Sequence, residues 1–187
     1  MSESLHLRNH FLIAMPTLED PNFFHTVTYI CEHNAEGALG IVINRPTDIT
    51  LGEMLEQLSI TPEPQLNTTV NIYEGGPVQP EHGFLLHSPL GQWSATLPVT
   101  EQVALTTSKD VLEAIARGAG PERYLVALGY AGWGPGQLEE EMAANAWLSG
   151  PATPEILFDT PAEKRWEAAA ALLGVDLRLL SNETGHA

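Results

Sequence analysis

Basic residues are scarce in this chain. Eight Lys and Arg stand against 24 Asp and Glu, a formal net charge of −16. The eight are scattered, with Lys164 and Arg165 the one adjacent pair. A nucleic-acid surface draws its affinity from clustered cations that displace counterions, so this balance argues against direct contact with DNA or RNA. Cysteine is nearly absent: Cys31 stands alone, which excludes an internal disulfide and fits a reducing compartment. Long apolar runs are missing, and nothing approaches the ~18–20 apolar residues of a membrane-spanning helix. The first nine residues carry only Arg8 among bases and lack the apolar core of a signal peptide. We therefore expect a cytoplasmic protein with no membrane partner. The histidines lack ligand spacing: there is no His-x-His and no His-Glu-x-x-His, and His82 and His87, five apart, face opposite ways on a strand. No metal and no cofactor are expected.

What is present is an ordinary globular composition, 187 residues at 43% hydrophobic and 17% charged. A chain of this size buries enough surface to fold without a staple. The most distinctive stretch is Gly129 to Glu141, Gly-Tyr-Ala-Gly-Trp-Gly-Pro-Gly-Gln-Leu-Glu-Glu-Glu. It follows an apolar run from Arg123 to Tyr130 that reads as a buried strand. Beyond it, Leu138, Met142 and Ala146 recur at helical intervals. The pattern predicts a strand, a tight glycine turn and a helix entered through Pro135.

Elsewhere, strands are expected at His10–Met15, Thr26–His33, Ala38–Ile43, Val70–Tyr73, Gly83–His87, Trp93–Leu97, Val103–Thr107, Trp147–Leu148 and Ile156–Phe158. The second and third form a hairpin across Asn34–Gly37, and Asn44-Arg45-Pro46 ends it because Pro cannot donate to a ladder. Thr50-x-x-Glu53 is a capping box for a short helix, and Thr160-Pro161-x-Glu163 reads as a second. The helix after it, to about Leu173, is expected to bury Trp166, Ala170 and Leu173. Ser108 is expected to cap a helix reaching Arg117. Ser59–Thr69 is a polar linker. Strands and helices mix irregularly, which argues for the α+β class in a single domain over residues 1–180, with 181–187 a disordered tail.

Three groups of residues offer chemistry. Glycine-rich strand-to-helix turns bind anions when backbone N–H groups face a pocket, which makes Gly132, Trp133, Gly134, Gly136 and Gln137 candidates for a ligand or partner. The spacing is not that of a P-loop, and Glu139, Glu140 and Glu141 in the first helical turn would repel phosphate; a plain packing turn explains the same residues. Cys31 is a candidate reactive thiol: on a straight strand it shares a face with His33, roughly 7 Å away, and an imidazolium lowers a thiol's pKa. A small buried hydrophobe is the competing reading of a lone cysteine. Asn44, Arg45 and Pro46 close one strand, and Glu74, Gly75, Gly76 and Pro77 close another. If those ends adjoin, Arg45 could pair with Glu74 or hold an anion.

Four stretches together carry a family resemblance: Cys31-Glu-His-Asn34 with Gly37-x-x-Gly40-Ile-Val-Ile-Asn-Arg-Pro46; Gly75-Gly-Pro-Val78; Gly129-Tyr-Ala-Gly-Trp-Gly-Pro-Gly-Gln-Leu-Glu139; and Asn145-x-Trp147. Over essentially its whole length the sequence resembles the YqgE/AlgH family of bacterial proteins. The resemblance implies a single α+β domain whose bent mixed sheet folds toward a barrel with flanking helices. It brings no catalytic residue, and the regulator label attached to the AlgH name implies an effect on transcription that this charge balance makes indirect.

The expectation is an acidic binding or regulatory protein, with an unknown small molecule or protein as its partner. Its glycine-bounded strand ends would converge on one exposed recess. Thiol chemistry at Cys31 is the enzymatic alternative and DNA binding a third.

Overall fold

The computed structural model describes residues 6–179 apart from residues 19 and 22. In chain order the elements are strands β1 (His10–Ala14), β2 (Val27–Asn34), β3 (Gly37–Val42) and β4 (Pro46–Thr50), helix α1 (Leu51–Gln57), strands β5 (Asn71–Glu74), β6 (Val78–Ser88), β7 (Thr96–Pro98) and β8 (Ala104–Thr106), helix α2 (Asp110–Ala116), strand β9 (Arg123–Trp133), helix α3 (Gln137–Ala143), strand β10 (Trp147–Pro151) and helix α4 (Arg165–Ala171). The tail expected at 181–187 lies outside the described residues.

The strands form one mixed sheet in the order β10-β1-β2-β3-β9-β6-β8-β7, with β4 attached through β5 to β9. The sheet curls into a half-barrel with flanking helices, as the α+β expectation had it. Every pairing is antiparallel except β5 with β9. The long strand β9 holds the two halves together: Ala131–Trp133 pair with β3, and Arg123–Leu128 pair with β6.

Alternation along the strands explains why both faces are apolar. Phe11, Ile13, Val27, Tyr29, Cys31, Phe84, Leu86, Leu125 and Ala127 point into the curl, where Ile156, Leu157, Ala169 and Ala170 close over them. Their neighbours point outward into two other cores. Leu85 and Val126 meet α1 and α2 through Leu51, Leu55, Val111 and Ile115. Leu12, Ile30, Ala131 and Trp133 meet Leu7, Leu138 and Trp147. At the crossing of β5 and β9 the chains touch backbone to backbone. Gly76 has φ 155°, and a Cβ there would strike the Tyr130 carbonyl and the Ala131 nitrogen. Only glycine permits that approach.

The capping box at Thr50 forms: its side chain accepts from Glu53 N, and Glu53 Oε1 accepts from Thr50 N. The second does not. Pro161 is extended (ψ 141°) and leads into a 3-10 turn, while Thr160 Oγ1 donates to Glu155 O instead. Ile156–Phe158, expected as a strand, lies in a π-helical turn over Glu155–Asp159; a short apolar run does not distinguish the two by period. Ser108 does not cap α2, whose N-cap is Lys109 without a side-chain bond; Ser108 Oγ donates to Asp110 Oδ1 and accepts from Ala95 N. On α4 Ala170 is buried as expected and Trp166 is half-buried against the curl, its Nε1 donating to Ala14 O. Leu173, beyond the helix, is 36% exposed, and it is Arg165, 4% exposed, that goes inside. Pro46 ends β3 as expected, but it also opens β4, a first-residue position where a missing N–H costs nothing.

Candidate functional site

The glycine–tryptophan stretch is a folding corner. Strand β9 runs on to Trp133, so Gly132 and Trp133 are strand residues and the turn proper is Gly134-Pro135-Gly136. Pro135 lies outside the helix. Gly136, with φ 75°, is the N-cap of α3. The polar groups here bind one another. Gly134 N donates to Gln137 Oε1, and Gln137 Nε2 donates to Glu141 Oε2, both at 3.0 Å. Trp133 Nε1 and Trp147 Nε1 both donate to Glu141 Oε1, each at 3.0 Å. Thus the third acid of the stretch is the acceptor that fixes two buried indoles.

Cys31 and His33 are not on one face. The register of β2 against β3 shifts between Ile30 and Glu32, leaving Cys31 as the extra residue of a β-bulge. Cys31 points into the curl, fully buried. His33 pairs with Ala38, which packs in the core beneath α3. Burial pushes the Cys31 thiol far up, and the Glu32 carboxylate adds to it, so the sulfur is a protonated core atom. His33 Nδ1 accepts the Leu7 N–H at 3.0 Å, which puts the ring proton on Nε2. That atom stands 3.4 Å from Glu139 Oε2 but makes no hydrogen bond with it.

The other predicted strand ends do adjoin, through the backbone. Glu74 N donates to Arg45 O at 2.8 Å, Val42 N to Gly75 O at 2.9 Å, and Gly75 N to Leu128 O at 2.8 Å. The Asn44 side chain accepts from Val27 N and donates to His25 O, both at 2.9 Å, and Arg45 Nη2 donates to Phe24 O. Gly75 and Gly76 are buried while Pro46, Glu74 and Pro77 are exposed. Arg165, which the sequence reading passed over, joins this junction from α4. It donates to Ile43 O and Thr160 O and lies over the Tyr73 ring at 5.2 Å.

These groups do not make the single recess expected of them. Trp133 pairs with Ala38 at the start of β3, and Asn44 follows the other end, six residues and about 20 Å along an extended strand. The glycine corner and the Asn44/Glu74 junction are separate places.

Beside Trp133 is a shallow recess of about 200 Å³ walled by Glu32, Asn34 and Glu36; a larger cleft with polar walls lies along the seam where the half-barrel fails to close. One wall is Ala152–Pro154, just after β10; the other is Thr100–Val103, between β7 and β8; Asn9 and Tyr29 lie between them. The space is about 350 Å³. Arg8 bridges the seam, its guanidinium donating to the carbonyls of Val99 and Pro98. Tyr29 is fully buried and its hydroxyl donates to Asn9 Oδ1 at 2.7 Å. Burial holds this phenol well above its usual range, with Cys31 adding and the Arg8 charge partly offsetting, so it stays a neutral donor. Thr100 Oγ1 accepts from both Gln102 N and Val103 N at 3.0 Å. Thr153 Oγ1 accepts from Ile156 N at 3.2 Å. A second cleft of about 180 Å³, lined by Met54, Leu58, Val111 and Leu112 among others, is mostly apolar. No motif announced the seam. Its residues are common types in loops, and it exists only because β10 and β7, remote in sequence, end near one another.

Comparison with known proteins places this fold. The sequence pattern of the AlgH-like family matches residues 11–178. A UPF0301 protein of Nitrosococcus oceani is 58% identical over 187 residues, spanning all of both chains, and one of Thioalkalivibrio sulfidiphilus is 59% identical over the same span. The solution structure of the AlgH protein from Pseudomonas aeruginosa superposes with a TM-score of 0.80 at 54% identity, over 97% of this chain and 96% of that one. A crystal structure of a Corynebacterium diphtheriae protein gives 0.73 at 21% identity, over 97% and 94%, which is a likeness of fold alone.

Proposed function

The chain belongs to the AlgH-like family, a membership that brings a fold but no assigned chemistry, and from that premise we propose that it is a binding protein whose ligand site is the seam cleft. The observation that carries this reading is the buried Tyr29 hydroxyl at the floor of an open, polar-walled space. Ligand sites combine an apolar bed with a few placed polar groups, and Val103, Leu157 and Pro154 supply the bed here. A ligand spanning the seam would tie Ala152–Pro154 to Thr100–Val103 and so change the surface around both sheet ends. That suits a cytoplasmic protein of regulatory role. Any effect on transcription is then indirect, since a net charge of −16 repels DNA.

An amide-resolved NMR titration with a library of small metabolite-like fragments tests the reading. Bound fragments should move the amides of Asn9, Thr100–Val103 and Ala152–Thr153. If hits instead collect at Met54, Leu58 and Leu112, the apolar cleft is the site and the seam is not.

A further inference from the structure

We infer that the seam cleft is a carboxylate site, taking a small organic acid; the inference rests on the seam reading and adds the chemical class of its ligand. It follows from which hydrogen-bonding capacity remains unused. A hydroxyl has one proton and two lone pairs. Thr100 Oγ1 has both lone pairs occupied by backbone N–H groups, so its proton is all it has left to offer. Thr153 Oγ1 has one lone pair occupied by Ile156 N, and its proton too is unspent. Asn9 Oδ1 is taken by the Tyr29 hydroxyl, which turns the amide so that Asn9 Nδ2, with two protons, remains. All three residues line the cleft, and among the described residues none of these protons has an acceptor.

The cleft therefore offers donors on side chains that hydrogen bonds already orient, which is preorganisation for an acceptor ligand. A cation behind the cleft reinforces the sign. Arg8 is close enough to Tyr29 to act on its phenol, and the carbonyls it binds carry no charge to neutralise it. Two facing oxygens of a carboxylate fit separate donors better than a single carbonyl oxygen, and charge-assisted bonds are roughly twice as strong as neutral ones. Glu101, exposed at the rim, opposes an anion that reaches outward and so favours a compact acid held within the cleft.

The test is a pair of matched probes, succinate and its diamide succinamide, titrated into the isotope-labelled full chain. Succinate should shift the amides of Asn9, Thr100–Val103 and Thr153 saturably in the millimolar range, with succinamide at least about tenfold weaker, a difference near 1.4 kcal/mol. Asn9→Gly should weaken succinate by a similar factor; glycine accepts the left-handed backbone of that position (φ 60°), so the fold survives. Arg8→Gln, which removes the charge and keeps a side-chain amide able to donate to the Pro98 or Val99 carbonyl, should weaken succinate and leave succinamide unchanged. Equal binding of the two probes, or succinate binding indifferent to both variants, overturns the carboxylate assignment. So does a seam that binds neutral fragments and not succinate, in which case the cleft stands and its ligand class falls. A seam that answers to neither fragments nor succinate removes both.

Discussion

The corner around Trp133 and the seam around Tyr29 are opposites in how they use their polar groups. At the corner every unusual residue is answered from within. Glu141 receives two indoles, Gln137 bridges Gly134 to Glu141, and Leu138 is fully buried. At the seam the residues are ordinary, yet Asn9, Thr100 and Thr153 keep protons for which the described chain supplies no acceptor. A conspicuous sequence can mark a place where the chain has most to arrange for itself. A binding site is better sought where capacity remains after folding.

If that contrast is right, breaking the corner costs stability and spares binding. The largest effect expected is from Glu141→Ala, which leaves the Nε1–H of both Trp133 and Trp147 without an acceptor. Trp133 is 6% exposed and Trp147 4%. An unsatisfied buried donor costs about 1–3 kcal/mol, so a urea melt should show a loss of about 3 kcal/mol. Glu141→Gln, which keeps one acceptor oxygen, should lose less. A loss below about 0.5 kcal/mol, the range of surface substitutions, would mean the corner is not the organising contact described.

Breaking the seam should do the reverse. Tyr29→Phe removes one hydroxyl and keeps the ring in the curl, where it meets Phe11 edge-on at 6.1 Å. Asn9 is only half-buried, so its freed oxygen can turn to water, and the loss of stability should be about 1 kcal/mol. Succinate binding should fall by more than that, because the Asn9 amide is no longer held in one orientation. A Tyr29→Phe variant that binds normally would make the buried hydroxyl a packing detail.

The difference between the two regions also explains what the sequence disclosed. The β2–β3 hairpin, the capping box at Thr50 and the strand within β9 were legible because their causes are local: alternation, a Thr-x-x-Glu spacing, a glycine turn. The α+β class followed from the irregular mixing, and the curl of the sheet from the family resemblance. What could not be read was anything set by distant partners. The face of His33 depended on a single extra residue at Cys31, which reverses the alternation that a straight strand would give. Arg165 stands beside Lys164 with nothing local to mark it, yet the Ile43 and Thr160 carbonyls draw it inside. The seam depends on the ends of β10 and β7, which sequence order gives no reason to bring together.

A third, smaller effect probes the β6–β8 side, where His87 is fully buried. Its Nδ1 lies 2.9 Å from Pro89 O and its Nε2 2.7 Å from Thr106 Oγ1. The carbonyl can only accept, so Nδ1 carries the proton and Nε2 accepts from the threonine. Burial holds the ring below its usual 6.5, with the Pro89 bond partly offsetting. A lowered value in the fold means the unfolded chain binds the proton more readily. Stability is therefore full above about pH 6.5 and declines as pH falls below it. His25, also held low by burial, pulls the same way. Melts between neutral pH and pH 5 should show that decline, and His87→Gln should flatten it; an unchanged slope would place the acid sensitivity elsewhere.

The smallest expected effect is at Cys31, and it separates a core thiol from a chemical one. A catalytic thiol in this chain would need a thiolate, access and a basic neighbour. Cys31 is fully buried, its proton is held by burial, and the bulge turns His33 to the other side of the sheet. Alkylation of the native protein should therefore proceed only as fast as the chain opens, with the same rate for reagents of different size and no inflection near neutral pH. Cys31→Ala should leave succinate binding at the seam unchanged, since the sulfur lies in the curl and is not part of the cleft lining. It should cost stability as a small buried side chain does, about 1 kcal/mol. Rapid labelling of the folded chain, faster than its unfolding, would reinstate the thiol and show that the curl opens more readily than its packing implies.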